Sequence, residues 1–300
     1  MRILNFGSLN IDFVYDVDHF VRPGETISSR ALGTYPGGKG LNQSIALARA
    51  GASVVHAGQV GEDGRFLVEL LEESGVDASL TRVSTELRTG NAIIQRDAEG
   101  NNCIILYGGA NQDISSELTD ELLSQMQPED WLLLQNEVNG LAHIVRAGKA
   151  RGMKVVLNPS PANEALEEVD LAAVDLFVLN EVEAAQLAGL DEAADAGELV
   201  GALGRRFPTA EIVLTLGEEG SVLASGDVLL RQEAFSVPVV DTTAAGDTFT
   251  GYLLAGMLAG ERPEVFMRRA SAASALAVTR PGAAVSIPRS DEVDEFIARL

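Results

Sequence analysis

The residues with the clearest chemical potential lie in the run DTTAAGDTF at 241–249, where small residues and a glycine precede a predicted helix. The first turn of a helix leaves backbone N–H groups without intrahelical partners, and such groups stabilise negative charge on a reacting group. Asp247 lies in this turn, where its carboxylate could accept a proton from an attacking hydroxyl. The chain contains 3 histidines, none near another candidate site, which favours a carboxylate as the base. The alternative is that Asp247 only caps the helix.

A second candidate is the glycine-rich run GGKGLNQ at 37–43, which opens another predicted helix. Glycines before a helix let a ligand approach the backbone, and the helix N-terminus favours anionic or oxygen-rich ligands. Residues 33–39 also satisfy most of a P-loop pattern, but Gly40 stands where a serine or threonine should hold magnesium. We therefore prefer a polyol-binding loop that uses Lys39 and Asn42, with a plain glycine-rich turn as the alternative.

Polar residues after two further predicted strands suit a nucleotide and its metal. Asn180 ends one strand and Glu183 lies about one helical turn later, so both side chains can face one point. An amide and a carboxylate suit a hydrated Mg²⁺, although acidic residues in a first helical turn are also ordinary partners of the helix dipole. The run LTLGEEG at 214–220 is compatible with a nucleotide shelf and equally with a hairpin turn.

Two residues after the first predicted strand could bind a sugar. Asn10 and Asp12 stand on one side of the chain by strand alternation, and a paired amide and carboxylate suit vicinal hydroxyls. Local turn chemistry of Asn and Asp is the alternative. Glu137 is a similar carboxylate at the end of another strand.

Short apolar runs alternate with helical patterns along most of the chain, which predicts a parallel sheet covered by helices on both faces. Strands are predicted at Ile3–Phe6, 54–57, 131–134, 155–157, 176–179 and 212–216. Helices are predicted at 41–50, 66–73, 141–151, Glu181–Ala188, 198–206, 248–258, Pro263–Val278 and 291–300. Right-handed crossovers then give a doubly wound α/β architecture, which we expect to be a single domain over 1–300. Two inserted stretches, at about 12–35 and 89–107, are rich in β-branched and aromatic residues and predict antiparallel strands of a small lid sheet.

Composition limits the function classes. The 44 acidic and 22 basic residues give a formal charge of -22, which disfavours nucleic acid and anionic lipid as partners. The single cysteine, Cys103, excludes an intramolecular disulfide and a cysteine metal cluster. The N-terminus resembles a short strand rather than a signal peptide, and no run reaches the roughly 18 apolar residues of a membrane span. We therefore expect a cytoplasmic protein.

Taken together, the motifs resemble the ribokinase-like branch of the PfkB-type carbohydrate kinases. The resemblance covers nearly the whole chain, from Gly7 to about Pro288, and depends on the order of six motifs. These are GSLNID at 7–12, GGKGLNQ at 37–43, GGAN at 108–111, NPSP at 158–161, NEVE at 180–183 and DTTAAGDTF at 241–249. The family fold is a doubly wound sheet with a β-sheet lid, and its members form dimers through the lid.

The resemblance also implies roles for individual residues. The residues matching the family's sugar site are Asn10, Asp12, Gly38, Lys39, Asn42, Glu137 and Asp247. The catalytic group would be Asp247 as the base, with an anion hole formed by Ala244, Ala245 and Gly246. The nucleotide would contact Asn180, Thr215, Gly217, Gly220 and Gly246, and Glu183 would organise Mg²⁺ indirectly. A monovalent cation, usually K⁺, would lie near Asp241, Thr243, Ala277, Arg280, Gly282 and Ser286, with Ala277, Arg280 and Gly282 contributing carbonyl oxygens.

The activity implied is transfer of the γ-phosphoryl group of ATP to a primary sugar hydroxyl, with D-ribose, giving ribose 5-phosphate, as the preferred acceptor. Asn10 favours a ribose-like diol over a deoxy sugar. Polar residues at Asn91 and Gln95, and Asn136 and Val138 around Glu137, depart from the pattern expected of a ribose site. A kinase for another sugar therefore stays open.

Two further alternatives also stay open. The first is a nucleoside kinase, in which Phe13, Tyr15 and Tyr35 could supply aromatic stacking. The second is a sugar- or nucleotide-sensing protein without turnover. The intact Asp247, Gly246 and Glu183 argue against a protein without turnover.

Overall fold

A large central sheet and a small second sheet organise the protein, whose computed structural model describes residues 1–99 and 101–299. The strands are β1 (Ile3–Phe6), β2 (Asn10–Asp16), β3 (Ala31–Gly37), β4 (Val54–Gly61), β5 (Asp77–Ser84), β6 (Gly90–Arg96), β7 (Asn102–Tyr107), β8 (Trp131–Gln135), β9 (Lys154–Asn158), β10 (Leu176–Asn180), β11 (Glu211–Thr215), β12 (Ser221–Ser225) and β13 (Val228–Gln232). The helices are α1 (Lys39–Arg49), α2 (Arg65–Glu73), α3 (Ser116–Leu123), α4 (Leu141–Ala150), α5 (Glu181–Ala188), α6 (Ala196–Arg206), α7 (Ala245–Leu258), α8 (Pro263–Val278) and α9 (Ser290–Ala298).

The central sheet has nine strands in the order β13-β12-β11-β10-β9-β8-β1-β4-β5. The strands from β11 to β5 pair in parallel, whereas β12 and β13 add an antiparallel edge. All six predicted strands are confirmed within one to four residues at each end. Successive residues of the parallel strands point to opposite faces, and both faces are covered, which explains why these strands are mostly apolar.

Helices cover both faces of this sheet, as a doubly wound fold requires. On one face, alternate strand residues such as Leu4, Leu132 and Leu214 pack in a core with α3, α4, α5 and α6. On the other face, the intervening residues, among them Ile3 and Leu133, pack in a core with α1, α2, α7, α8 and α9. The predicted fold class is confirmed. The predicted helices are found as well, except that residue 300 of the last one lies outside the described residues.

The lid sheet contains four strands in the order β3-β2-β6-β7, inside the two predicted insertions. The β2–β3 and β6–β7 pairs are antiparallel, as expected, but β2 and β6 pair in parallel. The prediction of a wholly antiparallel lid sheet was therefore wrong. A parallel pair needs a long crossover, and here α1, β4, α2 and β5 supply it through the central sheet. The predicted turn at 99–102 contains residue 100, which lies outside the described residues.

The close approach of α1 and α7 brings distant parts of the chain together. Gly251 of α7 faces α1, and a Cβ atom there would lie 2.3 Å from the Cβ of Ala46 and 2.8 Å from the backbone nitrogen of Leu47. Neither atom belongs to a flexible side-chain end, so only glycine allows this helix separation. Because α1 carries Asn42 and α7 carries Asp247, the separation also determines how those two side chains meet.

We expect Gly251→Ala to destabilise the protein by roughly 1–3 kcal/mol, because the new methyl group overpacks the α1–α7 interface. Gly204 is the matched control, since it lies in α6 and a Cβ atom there would have no neighbour within 4 Å. Gly204→Ala should instead stabilise the protein by roughly 0.5–1 kcal/mol through helix propensity. Urea denaturation gives both free energies of unfolding, and equal effects of the two changes would contradict this packing argument.

Candidate active site

A cleft of about 240 Å³ opens where β9, β10 and β11 end and α7 begins. Ligands of doubly wound proteins bind beyond the carboxyl ends of the parallel strands, and this cleft is in that position. Its lining includes residues from four of the six sequence motifs. The lining residues are Lys39, Asn158, Ser160, Val178, Leu179, Asn180, Glu183, Thr215, Thr242, Ala244, Ala245, Gly246, Asp247 and Thr250.

The N-terminus of α7 forms one wall of the cleft. Ala244 adopts a left-handed conformation with φ 60°, the only non-glycine residue with positive φ in the described part of the chain. Backbone strain of this kind is concentrated at functional sites. The first i to i−4 hydrogen bond of the helix joins the Thr248 N–H to the Ala244 carbonyl. The N–H groups of Gly246 and Asp247 come before this bond, so they have no partner within the helix and face the cleft. The Ala245 N–H donates to the Thr242 carbonyl at 3.2 Å, which occupies one of the three groups predicted for the anion hole.

Asp247 is held by two amides from α1. The Asn42 Nδ2 donates to Asp247 Oδ2 at 3.0 Å, and the Gln43 Nε2 donates to Asp247 Oδ1 at 2.8 Å. Asp247 is only 7% exposed, and ionised carboxylates at such depth need hydrogen bonds of this kind. The Asn42 Oδ1 is buried without a hydrogen-bond partner, which leaves an acceptor for a ligand hydroxyl. Capping does not account for Asp247, because its carboxylate bonds to side chains of another helix.

Lys39 and Glu137 connect this wall to the predicted sugar residues. The Glu137 carboxylate accepts the Ser8 hydroxyl and, at 3.0 Å, the Lys39 backbone N–H. The Gly40 N–H points to the Ser8 Oγ at 3.3 Å. The backbone N–H groups of Lys39 and Gly40, which a P-loop would offer to phosphate, are therefore bonded to Glu137 and Ser8. These bonds disfavour a P-loop, and the polyol-binding loop stays the prediction. Gly38 has φ 97°, and a Cβ atom there would lie 2.9 Å from the Ser8 carbonyl oxygen.

Carboxylates dominate the electrostatics of the site. Burial, together with the neighbouring Glu137 carboxylate, raises the pKa of Asp12 to about 6. Burial also raises the pKa of Glu137, although Lys39 and the Ser8 hydroxyl act against it. Burial would lower the pKa of Lys39, but the carboxylates of Asp247, Glu137 and Glu183 outweigh it and raise that pKa. The ammonium of Lys39 therefore stays charged among several acidic groups.

Asn10 is oriented by Asn111, a residue to which the sequence had assigned no role. The Asn111 Nδ2 donates to Asn10 Oδ1 at 2.8 Å, and Asn111 itself is fixed by the N–H and carbonyl of Leu9. Because Asn111 occupies the Asn10 oxygen, the Asn10 NH₂ group points away from Asn111. Ser8 was missed in the same way, since its bond to Glu137 spans 129 residues. The only available signal was membership of these residues in the motifs at 7–12 and 108–111.

On the nucleotide side, Asn180 and Glu183 form a capping box at the start of α5. The Asn180 N–H donates to Glu183 Oε2 at 3.1 Å, and the Glu183 N–H donates to Asn180 Oδ1 at 2.9 Å. Both residues also border the cleft, and their ligand-binding role stays a prediction. Thr215 donates to the Leu179 carbonyl at 3.3 Å. Gly217 and Gly220 both have positive φ in the turn between β11 and β12, so the hairpin interpretation of that segment is correct and a nucleotide contact stays a prediction.

Two of the positions predicted for a monovalent cation, Thr243 and Gly282, contact a third, Asp241, just before α7. The Asp241 carboxylate accepts the N–H and hydroxyl of Thr243 and the N–H of Gly282. Burial would raise the pKa of Asp241, but these hydrogen bonds outweigh it and lower that pKa. The Ala277 carbonyl accepts the Arg280 N–H, and the Ser286 hydroxyl donates to the Ala283 carbonyl. The loops at 241–243 and 277–286 thus form one oxygen-rich corner.

Two of the four residues that departed from the expected sugar pattern, Gln95 and Asn136, have partners of their own. The Gln95 Oε1 accepts the Val21 N–H at 2.9 Å, in an exposed loop of the lid. The Asn136 Nδ2 donates to the Pro161 carbonyl and to Asn163 Oδ1 at 2.7 and 2.9 Å. These contacts give Gln95 and Asn136 structural roles, so their presence no longer argues against ribose.

Within residues 1–99 and 101–299, no group of three or more His, Cys, Asp or Glu side chains could hold a metal ion. No helix among the same residues is long and apolar enough to cross a membrane.

Comparison with known proteins identifies the class to which this fold and site belong. The model of the pfkB family of carbohydrate kinases matches residues 2–290. The chain belongs to this family and is a carbohydrate kinase, a phosphotransferase.

Individual relatives extend the comparison. The chain is 34% identical to the ribokinase of Haemophilus influenzae, over 97% of this chain and 96% of that protein. It is 29% identical to the deoxyribokinase of Salmonella typhi over 99% of each chain. The structure of Arabidopsis thaliana ribokinase complexed with ribose and ATP is similar, with a TM-score of 0.88 and 29% identity over 99% of this chain and 98% of that one.

The raised pKa of Asp12 predicts a pH-dependent stability. The carboxyl group has a pKa of about 6 in the folded protein and 3.8 in the reference state, so its ionisation opposes folding above pH 6 and not below pH 4. We expect Asp12→Asn to raise the free energy of unfolding at pH 8 by roughly 1–3 kcal/mol, and by less at pH 4.5. Urea denaturation at the two pH values measures the difference. Asp227→Asn, in the exposed turn before β13, should leave stability almost unchanged, and an equal gain there would contradict the assignment.

Proposed function

We propose that this protein transfers the γ-phosphoryl group of ATP to the primary hydroxyl of D-ribose and forms ribose 5-phosphate. The observation that carries the proposal is the position of Asp247, which lies at the N-terminus of α7 between the residues around Glu137 and the cleft at 158–250. A sugar bound on one side and a nucleotide bound on the other would meet at this carboxylate. The ribokinase names of several relatives support ribose as the acceptor.

In this proposal the sugar is bound by side chains whose free atoms match hydroxyl groups. Asp12 and Glu137 accept hydrogen bonds from hydroxyls, and the NH₂ group of Asn10, oriented by Asn111, donates one. The free Oδ1 of Asn42 accepts another. Gly38, whose positive φ and close contact with the Ser8 backbone require glycine, would place its own backbone beside the sugar. A hydroxyl-rich ligand satisfies all of these groups, and a sugar lacking one hydroxyl leaves a buried group unpaired.

Asp247 acts as the general base in this scheme. It removes the proton from the attacking primary hydroxyl, and the two amides of Asn42 and Gln43 keep its carboxylate aimed at that hydroxyl. The N–H groups of Gly246 and Asp247 stabilise the negative charge on the transferring phosphoryl group. Lys39, with its raised pKa, supplies a positive charge near the same point. Most of the rate then comes from positioning and charge stabilisation, as is general for phosphoryl transfer.

The cleft residues fit a hydrated Mg²⁺ rather than a directly ligated one. Glu183 is 6% exposed and uses Oε2 to accept the Asn180 N–H, which leaves Oε1 for a water ligand of the ion. The lack of a metal-binding cluster within residues 1–99 and 101–299 agrees with an ion that the phosphates of ATP would chiefly hold. When bound, Mg²⁺ would neutralise charge on the phosphate oxygens. Asn180, Thr215, Gly217 and Gly220 would contact the nucleotide itself.

The corner formed by Asp241 and the loop at 277–286 fits a monovalent cation such as K⁺. Its donors are hard oxygen atoms, namely one carboxylate with a lowered pKa, the Thr243 hydroxyl and backbone carbonyls. Ala277, Arg280, Gly282 and Ser286 belong to the same corner. A cation there would stabilise the conformation of the segment that leads into α7.

The proposal extends to assembly and location. The lid sheet exposes apolar side chains on both faces of β6 and β7. Ile93, Ile105 and Tyr107 lie on the face opposite Asp12, Ile104 and Leu106 lie on the other face, and each is at least 40% exposed. A patch of this kind usually marks an interaction site, and a second copy of the lid sheet would cover it. We infer a homodimer formed through the lids. We also infer a cytoplasmic protein that binds neither membranes nor nucleic acid, since its formal charge is -22.

An assay of ADP release across a panel of sugars and nucleosides tests the substrate. We expect D-ribose to give the highest kcat/KM, 2-deoxyribose and nucleosides to give lower values, and K⁺ to increase turnover. Asp247→Asn should reduce kcat by about 10²- to 10⁴-fold, which is typical of a general base. A higher kcat/KM with 2-deoxyribose or a nucleoside than with ribose would show that ribose is not the preferred substrate. Tight sugar binding without turnover of any acceptor would favour a sensing protein, and near-normal turnover of Asp247→Asn would refute its role.

The lid interface is tested by one exposed residue and a control. Ile105 pairs with Ile93 across β6 and β7, on the opposite face of the sheet from Asp12. We expect Ile105→Arg to halve the mass measured by light scattering, because an arginine cannot be buried in an apolar contact between lids. Leu190, which is 41% exposed beyond the end of α5, provides the control, and Leu190→Arg should leave the mass unchanged. A monomeric wild-type protein would contradict the dimer.

A further inference from the structure

A chain of polar side chains runs through the core behind Asp247, and the reaction proposed above uses only its first member, Gln43. Its members are Gln43, Gln135, Asn5, Ser44 and His56, and each is 0% exposed. They lie between α1 and the strands β1, β4 and β8, among the apolar residues of the core. Burying five polar side chains together is costly unless each finds a partner, so a specific reason for their presence is needed.

The hydrogen bonds of this chain have a defined direction. Gln135 Nε2 donates to Gln43 Oε1 at 2.7 Å and to Asn5 Oδ1 at 2.9 Å. Gln43 Nε2 then donates to Asp247 Oδ1 at 2.8 Å and to Asn158 Oδ1 at 3.1 Å. The two acceptors beside Gln43 Nε2 and the donor beside Gln43 Oε1 are all consistent with a single orientation of the amide. A rotated Gln43 amide would place its oxygen against the Asp247 carboxylate and against Asn158.

The other end of the chain is uncharged. Asn5 Nδ2 donates to Ser44 Oγ and to the Gly40 carbonyl, each at 2.8 Å. The Ser44 hydroxyl therefore has its proton available for His56 Nδ1, which lies 2.8 Å away. Burial lowers the pKa of His56 to about 4, so the ring accepts this proton in its neutral form. The chain thus carries no charge besides that of Asp247 at its end.

We propose that Gln43 is a positioning residue for Asp247, and that Gln135 keeps the Gln43 amide in the orientation that donates to the carboxylate. Asp247 has two carboxylate oxygens and could rotate about its Cβ–Cγ bond. Asn42 holds Oδ2 and Gln43 holds Oδ1, so the two amides together fix the plane of the carboxylate. A fixed plane keeps one lone pair directed at the hydroxyl, and misplacement of such a group lowers the rate more than the affinity. This role rests on the proposed function of Asp247 as the base.

Gln43→Met tests the role, because methionine retains the length of the side chain and removes both hydrogen-bonding atoms. We expect kcat to fall by about 10- to 100-fold, as for a misaligned reacting group, while the Kd of ribose from calorimetry stays close to that of the wild type. Gln135→Met, which touches neither Asp247 nor the cleft, should lower kcat in the same direction and by a smaller factor. A merely structural role would change stability and leave kcat of the folded protein intact.

Ser44→Ala is the matched control. Ser44 adjoins Gln43 in sequence, is equally buried and belongs to the same chain, but it lies on the side away from Asp247. Ser44→Ala should lower the melting temperature by a few degrees and leave kcat at the wild-type value. Wild-type kcat in Gln43→Met, or an equal loss of kcat in Ser44→Ala, would overturn the proposal. If Gln43→Met does not fold, the kcat of Gln135→Met decides between the same outcomes.

A double variant separates this proposal from the function of Asp247. If Gln43 acts only through Asp247, Gln43→Met combined with Asp247→Asn should lose no more kcat than Asp247→Asn alone. Full activity of Asp247→Asn would refute the proposed base itself. An inactive Asp247→Asn together with additive losses in the double variant would refute only the positioning role of Gln43.

Discussion

The contact between the Asp247 carboxylate and the two amides of α1 is the interaction on which the site depends. It joins residues 204 and 205 positions apart in the sequence, and it lies where α1 and α7 approach most closely. A carboxylate at this depth would be unfavourable without donors on both oxygens. The absence of a side chain at Gly251 permits the short helix separation, and the separation in turn brings the amides within reach. The packing of α1 against α7 therefore determines whether the hydrogen bonds to Asp247 can form.

Hydrogen bonds of the same kind explain how several carboxylates can lie close together in the site. Asp247, Glu137 and Glu183 lie close enough to Lys39 to raise its pKa, and Asp12 lies beside Glu137. Fixed donors compensate for each group separately: Ser8 and a backbone N–H for Glu137, the capping box for Glu183 and the α1 amides for Asp247. Asp12 has the weakest compensation and the pKa of about 6. A sugar rich in hydroxyl groups would supply the missing donors.

Much of the fold could be predicted from the sequence, because its parallel strands are buried on both faces and so appear as continuous apolar runs. The elements that were missed lack this signal. β5 alternates buried and exposed residues at the edge of the sheet, and β12 and β13 form a short antiparallel hairpin beyond the parallel strands. Likewise α3 is a helix of eight residues with three buried positions, Thr119, Leu122 and Leu123. Edge elements depend on tertiary partners that a local pattern does not contain.

Only part of the candidate site could be predicted from the sequence. Asp247, Lys39 and Glu183 could be found because each stands at a strand end or helix start with a local chemical meaning. Ser8, Gln135 and Asn111 could not, because each acts on a residue 92 or more positions away. The amide orientation of Gln43 is likewise determined only by its neighbours in space. Sequence motifs therefore identify groups that contact ligands more readily than groups that orient them.

Two of the residues proposed to bind the sugar, Asn10 and Asp12, lie in the lid sheet and would move with it. Asn10 is the first residue of β2 and pairs with Gly37 of β3 and Gly90 of β6, so it lies where the lid joins the central sheet. Asp12 follows within the same strand, and a Cβ atom at Gly37 would lie 2.1 Å from its carboxylate oxygen. Any tilt of the lid must therefore move Asp12 and Asn10 relative to Glu137 and Asp247, which belong to the central fold. A sugar that bonds to both groups favours one lid position, and the presence of substrate is thereby coupled to the geometry around the base.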